Sequence, residues 1–176
     1  PANSSSVNFN IATIDDALVE GAENFTVTLD TITGDGGFEA IAINGAANSV
    51  TTSITDNDVS IISVSSPTVV EGNIAVFNVS LNQVSPTDVV FTTSLSNGAA
   101  TIGADTAAAN TLEVSTDGGA SWSLVTGNVT IAAGQTSVQL RIATTDDVLA
   151  EISEDFRLTA VVVSGNTSNA SAFGDA

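Results

Sequence analysis

The residues best placed by type and spacing to do chemistry are carboxylates. The stretch ATTDDVLAEISEDF, residues 143–156, sets Asp146, Asp147, Glu151, Glu154 and Asp155 within fourteen positions of a chain that has no lysine. The same arrangement occurs earlier as ATIDDALVEGAENF, residues 12–25, with Asp15, Asp16, Glu20 and Glu23. Like charges this close repel, so a fold that keeps them together calls for a compensating cation. Further acids sit at turns and in loops: Glu71 in VVEGN, Asp105 in ATIGADTAA, and Asp56 and Asp58 in TDNDV. Calcium takes about 6–8 oxygens from carboxylates, carbonyls and waters, tolerates irregular geometry, and needs no nitrogen or sulfur. Magnesium, with its strict octahedron, suits a crowded carboxylate cluster less well.

A turn-forming or solvated role for these acids is the plainer alternative, since Asp and Asn favour turns for their own reasons. For TDND the two readings stand side by side. A twice-repeated DDxxxExxE facing so few positive charges favours the cation. The pattern is not an EF-hand, because counting from Asp56 the sixth position is Ile61 and the twelfth is Pro67, where Gly and Glu are required. GDGG, residues 34–37, occurs once and reads as a turn rather than a calcium-binding repeat.

Composition narrows the function classes further. The chain has 176 residues with 20 acidic and 2 basic side chains, Arg141 and Arg157, for a net charge of −18. That sign argues against nucleic acid and anionic membrane as partners, since phosphate binding needs Lys or Arg. The absence of Cys, His, Met, Tyr and Lys removes disulfides, thiolate and imidazole ligands, the usual general bases and the Schiff-base nucleophile. No apolar run reaches the roughly 18 residues of a membrane span, so direct membrane insertion is not expected. A Cys-free acidic chain rich in Thr, Ser, Asn, Val and Ala suits an extracellular bacterial protein.

The elements that must position the acids are strands. SVNFNIAT places Val7, Phe9 and Ile11 on one face, and SVQLRIAT does the same with Val138, Leu140 and Ile142. Further strands are expected at 24–29, 49–54, 59–64, 73–81, 88–95, 111–116, 121–125, 128–131 and 155–163, with a hairpin turn at STDGGASW. No segment has a sustained helical period. The class is all-β, a sandwich.

Ser6 aligns with Ser137, an offset of 131 residues (137 − 6), and the offset then pairs Val7 with Val138, Ile11 with Ile142, Asp15 and Asp16 with Asp146 and Asp147, Leu18 with Leu149, Glu20 with Glu151, Glu23 with Glu154, and Phe25 with Phe156. The chain is an internal repeat. Residues 1–57, with about three strands, read as the C-terminal portion of one repeat that cannot close a sandwich alone. Residues 58–176 read as a second repeat, nearly complete but lacking its last strand, because the chain stops before any counterpart of TTSITDND. The natural protein is therefore expected to continue beyond at least one end, unless strands are shared between chains.

The ordered set VVEG, GAD, VQLRIATTDDVLAEISEDFRL and ITDND resembles the Calx-beta domain. With EVSTDGGASW and IAAGQTS, it resembles in particular the repeats of large secreted bacterial adhesins of the repeats-in-toxin type. The resemblance implies immunoglobulin-like sandwiches arranged end to end, with calcium at one end of each where it meets the next. Carried over by position, it implies ligands at Glu71, Asp105, Asp146, Asp147, Glu151 and Glu154 in the second unit. In the first unit it implies Asp15, Asp16, Glu20, Glu23, Asp56 and Asp58. Thr106 departs from the family, which usually carries an aromatic residue there.

The function so implied is non-catalytic: a calcium-binding extender repeat of a bacterial surface adhesin, stiffened by calcium at the junction between repeats. Its partners are calcium ions, neighbouring repeats of the same chain, and a cell-surface or matrix ligand of the whole protein. The alternative is a sugar- or peptide-binding sandwich module, for which Trp122, beside the DGG hairpin, is the only indole available for stacking. A glycosidase with paired carboxylates is disfavoured by the lack of aromatic subsites.

Overall fold

The computed structural model describes residues 6–34, 37, 40–148 and 152–176. Its contacts divide the chain into two units, Pro1–Ala17 with Gly21–Asn57, and Leu18–Glu20 with Asp58–Ala176.

In the first unit β1 (Glu23–Thr28) and β2 (Ser49–Ile54) form an antiparallel pair. Thr26 lies opposite Thr51, with their hydroxyls 2.7 Å apart, and Phe25 and Val27 share the other face, half-buried. The strand expected over SVNFNIAT does not form. Residues 6–11 belong to no strand ladder, and Val7, Phe9 and Ile11 are 77%, 63% and 54% exposed. Alternation only equips a segment to be a strand; its N–H and C=O groups still need a neighbouring strand to pair with.

The second unit has those neighbours. One sheet holds β3 (Ile62–Val64), β4 (Ile74–Leu81), β9 (Ser137–Ala143), β6 (Glu113–Ser115) and β7 (Ser123–Leu124) in that order. The other holds β11 (Ser171–Asp175), β10 (Phe156–Ser164), β5 (Val89–Asn97) and β8 (Val129–Ile131). All the named pairs are antiparallel. Period-two alternation turns Ala75, Phe77 and Val79 of β4, Val138, Leu140 and Ile142 of β9, and Phe156, Leu158 and Ala160 of β10 into one buried core. Phe77 and Phe156 meet edge to face with ring centres 5.8 Å apart, joining the two sheets. The fold is an all-β sandwich. Among the described residues no helix is long and apolar enough to cross a membrane.

Two strand readings change. The segment 59–64 is not one strand: Ser60 bridges Thr167, beside the β10–β11 connection, and only from Ile62 does the chain pair with β4. The strand reading also ended at Val163, whereas β11 follows and pairs with β10 from Arg157 opposite Asp175 to Val161 opposite Ser171. The fixed offset missed it because the link between β10 and β11 is much shorter than the link between β1 and β2, so the pairing strand arrives early.

Candidate metal centre

Antiparallel register places the acidic residues of the second unit. Ile74 of β4 pairs with Ala143 of β9, so Glu71, three residues before Ile74, falls opposite Asp146, three after Ala143. The turn between them is tight: Gly72 has φ +76°, and a Cβ there would lie 2.9 Å from Asp146 Cβ. Glycine is needed both for the backbone angle and for the approach. Thr144 fastens the turn, donating from its N–H at 2.8 Å and from its hydroxyl at 2.9 Å to the Asn73 carbonyl.

The loop carrying Asp105 is drawn to the same place. Thr106 bridges Thr144, and the Thr145 N–H donates to the Asp105 carbonyl at 2.9 Å. The Asp105 carboxylate itself accepts from the Thr101 N–H at 2.6 Å, closing its own loop. Thr106, itself buried, donates its hydroxyl to the Ala107 carbonyl at 2.9 Å.

On the other sheet β10 pairs with β5, with Phe156 opposite Asn97, which brings Asp155 beside Gly98. A Cβ on Gly98 would sit 2.3 Å from the Asp155 carbonyl, so only glycine permits the contact. Asp155 then holds the loop start twice, accepting from Ala99 N–H on its carboxylate at 3.2 Å and from Ala100 N–H on its carbonyl at 3.0 Å.

The outcome is an open cleft of about 590 Å³ at one end of the sandwich, walled by Glu71, Asp105, Asp146, Asp147, Glu154, Asp155 and Asp175. No Lys or Arg is among its wall residues. Five of the six ligands expected in the second unit therefore share one cavity; Glu151 lies outside the described residues. Asp155 and Asp175 were not among the expected ligands. Asp155 was visible in the acidic run, whereas Asp175 depended on the unforeseen β11.

The wall acids are not equivalent. Asp175 accepts from Arg157 at 2.7 and 3.2 Å, and Arg157 also lies over the Phe173 ring at 4.0 Å. That hydrogen bond holds the Asp175 carboxyl below the usual carboxylate range and raises Arg157. Asp175 and Asp155 thus already serve the fold, Asp175 through Arg157 and Asp155 through the Ala99 and Ala100 N–H groups. Among the described residues no three acidic side chains converge closely enough to form a metal-holding group. The donor chemistry nevertheless fits a hard cation, because the polar wall offers carboxylates, hydroxyls and carbonyls and no imidazole or thiolate.

In the first unit, Glu23 opens β1 opposite Ile54, while Asp15 and Asp16 lie exposed outside any strand. Asp56 belongs to the first unit; Glu20 and Asp58 group with the second. The Asp58 carbonyl accepts from the Asn166 side-chain amide at 3.0 Å.

The profile of the Calx-beta domain matches residues 1–53 and 106–173, more than half of the chain. The chain belongs to the Calx-beta family. The matched segments contain Asp15, Asp16, Glu20, Glu23, Asp146, Asp147, Glu151 and Glu154; Asp56, Asp58, Glu71 and Asp105 lie between them. No curated protein matches the chain.

Two other polar features of this Calx-beta sandwich are structural. Asp117 accepts from the Ser115 hydroxyl at 2.7 Å, from the Ser121 N–H at 2.9 Å and from the Ser121 hydroxyl, which tie the hairpin. Ser121 first, then Ser115, hold its carboxyl far below the usual range. Trp122 donates to the Gly119 carbonyl at 3.1 Å, and Arg141, itself 2.6 Å from Glu113, covers its ring at 4.2 Å. One face of the only indole is therefore occupied by the protein's own guanidinium.

Proposed function

We propose that the chain is a non-catalytic calcium-binding structural repeat of a secreted bacterial adhesin, with its cation site in the acidic cleft of the second unit. The observation that carries this reading is the shared cavity: Glu71, Asp105, Asp146, Asp147 and Glu154 come from four separate segments and line one wall system without a basic residue. Membership of the Calx-beta family supports the same reading. Glu71, Asp146, Asp147 and Glu154 would supply the carboxylate oxygens, and Asp105, already bonded to its own loop, would contribute its remaining oxygen. When bound, calcium supplies charge neutralisation and a cross-link between loops that otherwise repel.

The adhesin role follows from repetition. Only residues 55–61 separate β2 from β3, a link of at most about 25 Å when fully extended. Calcium held at the end of a repeat would limit its swing against the next repeat of the natural protein. An extracellular location at the bacterial surface, where calcium is millimolar, suits the weak affinities of such modules, about 10⁻⁴–10⁻³ M. Neighbouring repeats and a cell-surface or matrix ligand would be the partners.

A thermal melt of the intact chain in millimolar calcium against one in chelator tests the reading. The midpoint is expected to be several degrees higher with calcium, by mass action on the folded state. Equal midpoints would remove the calcium role.

A further inference from the structure

We infer that the second unit carries tension along its chain through a seam between its first and last segments. One side of the seam is β3 with the residues before it; the other is β11 with the link that leads into it. The seam needs no bound cation. β3 is an edge strand of one sheet and β11 an edge strand of the other, yet the two run side by side. The Asp58 carbonyl accepts from the Asn166 side chain at 3.0 Å. Ser60, completely buried, makes a parallel bridge with Thr167. Its N–H donates to the Asn166 carbonyl at 3.1 Å, and its carbonyl accepts from the Ser168 N–H at 2.8 Å. Asn169 then stands in for a strand partner of Ile62, accepting from its N–H at 3.0 Å and donating to its carbonyl at 2.8 Å. Farther along, Gly174 has no room for a Cβ against the Ser65 carbonyl, and the Asp175 N–H donates to the Ser66 hydroxyl at 3.0 Å.

The order of these contacts settles the geometry. Residue numbers rise together on the two segments, from 58 beside 166 to 66 beside 175, so the seam is parallel. Because one repeat follows another on a single chain, a pull along that chain enters this unit near Asp58 and leaves through β11. Such a pull slides one segment along the other and strains every rung of the seam at once. Separating the segments at their shared start would instead open the rungs one after another. Hydrogen bonds strained together must break together, so the first direction resists more than the second. Resistance to force is set by the unfolding barrier rather than by equilibrium stability, so the contribution of the seam is separable from that of the core. Asn169 is the central rung. A further bond from its side chain to the Ser171 carbonyl at 3.1 Å fixes it to its own strand.

The chain has no Cys, so pulling handles can be attached at introduced pairs. Single-molecule pulling of the intact chain in chelator, which separates the outcome from the cation reading, compares two directions. Asn57→Cys with Ala176→Cys shears the seam, and Asn57→Cys with Ser168→Cys opens it from its start. The unfolding force is expected to be severalfold higher for the first pair. In that pair Asn169→Ala should raise the unfolding rate at a given force about tenfold, and Ser66→Ala by a smaller factor. Ile131→Val, on β8 at the opposite edge of the sheet from β11, should lower stability in urea and leave that rate nearly unchanged. Equal forces in the two directions overturn the proposal, as does a rate indifferent to both Asn169→Ala and Ser66→Ala. So does an effect of Ile131→Val as large as that of Asn169→Ala, because the force would then report overall stability.

Discussion

Residues 137–159 and residues 6–28 carry nearly the same instructions and end in different states. In the first stretch Leu140 is completely buried between β4 and β6 in a five-stranded sheet; in the second its counterpart Phe9 lies open to solvent with no strand around it. The acidic motif behaves in parallel. Asp146 and Asp147, themselves exposed and outside any strand like Asp15 and Asp16, wall a cleft because the turn at Gly72 and the loop of Asp105 are brought to them by β4 and by the Thr106–Thr144 bridge. A strand pattern and a ligand pattern are each half of a structure. The segment that pairs with them is the other half.

The sharpest way to break the comparison is a pair of truncations. Leu140→Ala should cost about 2–5 kcal/mol, the combined loss of transfer energy and packing in a filled core. Phe9→Ala, in the exposed copy, should change stability by no more than about 0.5 kcal/mol. Urea unfolding of the two variants measures both. Equal losses would mean that residues 6–11 are packed as β9 is.

A smaller effect separates two glycines. Gly72→Ala forces a side chain into positive φ and against Asp146 Cβ, 2.9 Å away, and should cost about 1–3 kcal/mol. Gly21→Ala, with no atom within 4 Å of the new methyl, should be neutral or slightly stabilising. Thermal melts decide it, and a harmless Gly72→Ala would show that the turn does not press on Asp146.

Much of this was legible beforehand, for an identifiable reason. β9 alternates apolar and polar residues along its length, and β4, β5 and β10 do so over part of theirs, because one face of each is buried, and that alternation is written in the side chains. β11 is not written that way. SAFGD has one large apolar residue, Phe173, and it faces outward under Arg157; the strand exists because β10 offers it a ladder. The site follows the same division. Asp146, Asp147 and Glu154 stand in a motif, and Glu71 marks a Gly turn, so type and spacing reveal them. Asp155 and Asp175 gain their roles from register across strands, which spacing along one chain does not carry.

The smallest expected effect concerns acid. At matching register the second unit pairs Arg157 with Asp175, where the first pairs Thr26 with Thr51. The Arg157 hydrogen bond lowers the Asp175 pKa in the folded state, so its stabilisation is present above the ordinary aspartate value, about 3.9, and is lost as pH falls through the lower folded value. Asp175→Asn should therefore reduce stability slightly near neutrality and flatten its decline below about pH 4. Asp117, lowered in the same direction, remains in both proteins, so the difference isolates the pair. Unchanged acid dependence would show that the ion pair contributes nothing, a common outcome for exposed pairs.

The central claim, that the paired elements turn an acidic motif into a cation site, is tested most directly by calcium titration of the intact chain and two variants by calorimetry. Asp146→Asn keeps the shape of the side chain but removes a negative oxygen from the cleft wall, and should weaken the tightest calcium event about tenfold. The same substitution at its counterpart in the first unit, Asp15→Asn, should leave that event unchanged. Equal weakening by the two variants, or no saturable calcium binding in the unaltered chain, would contradict the account.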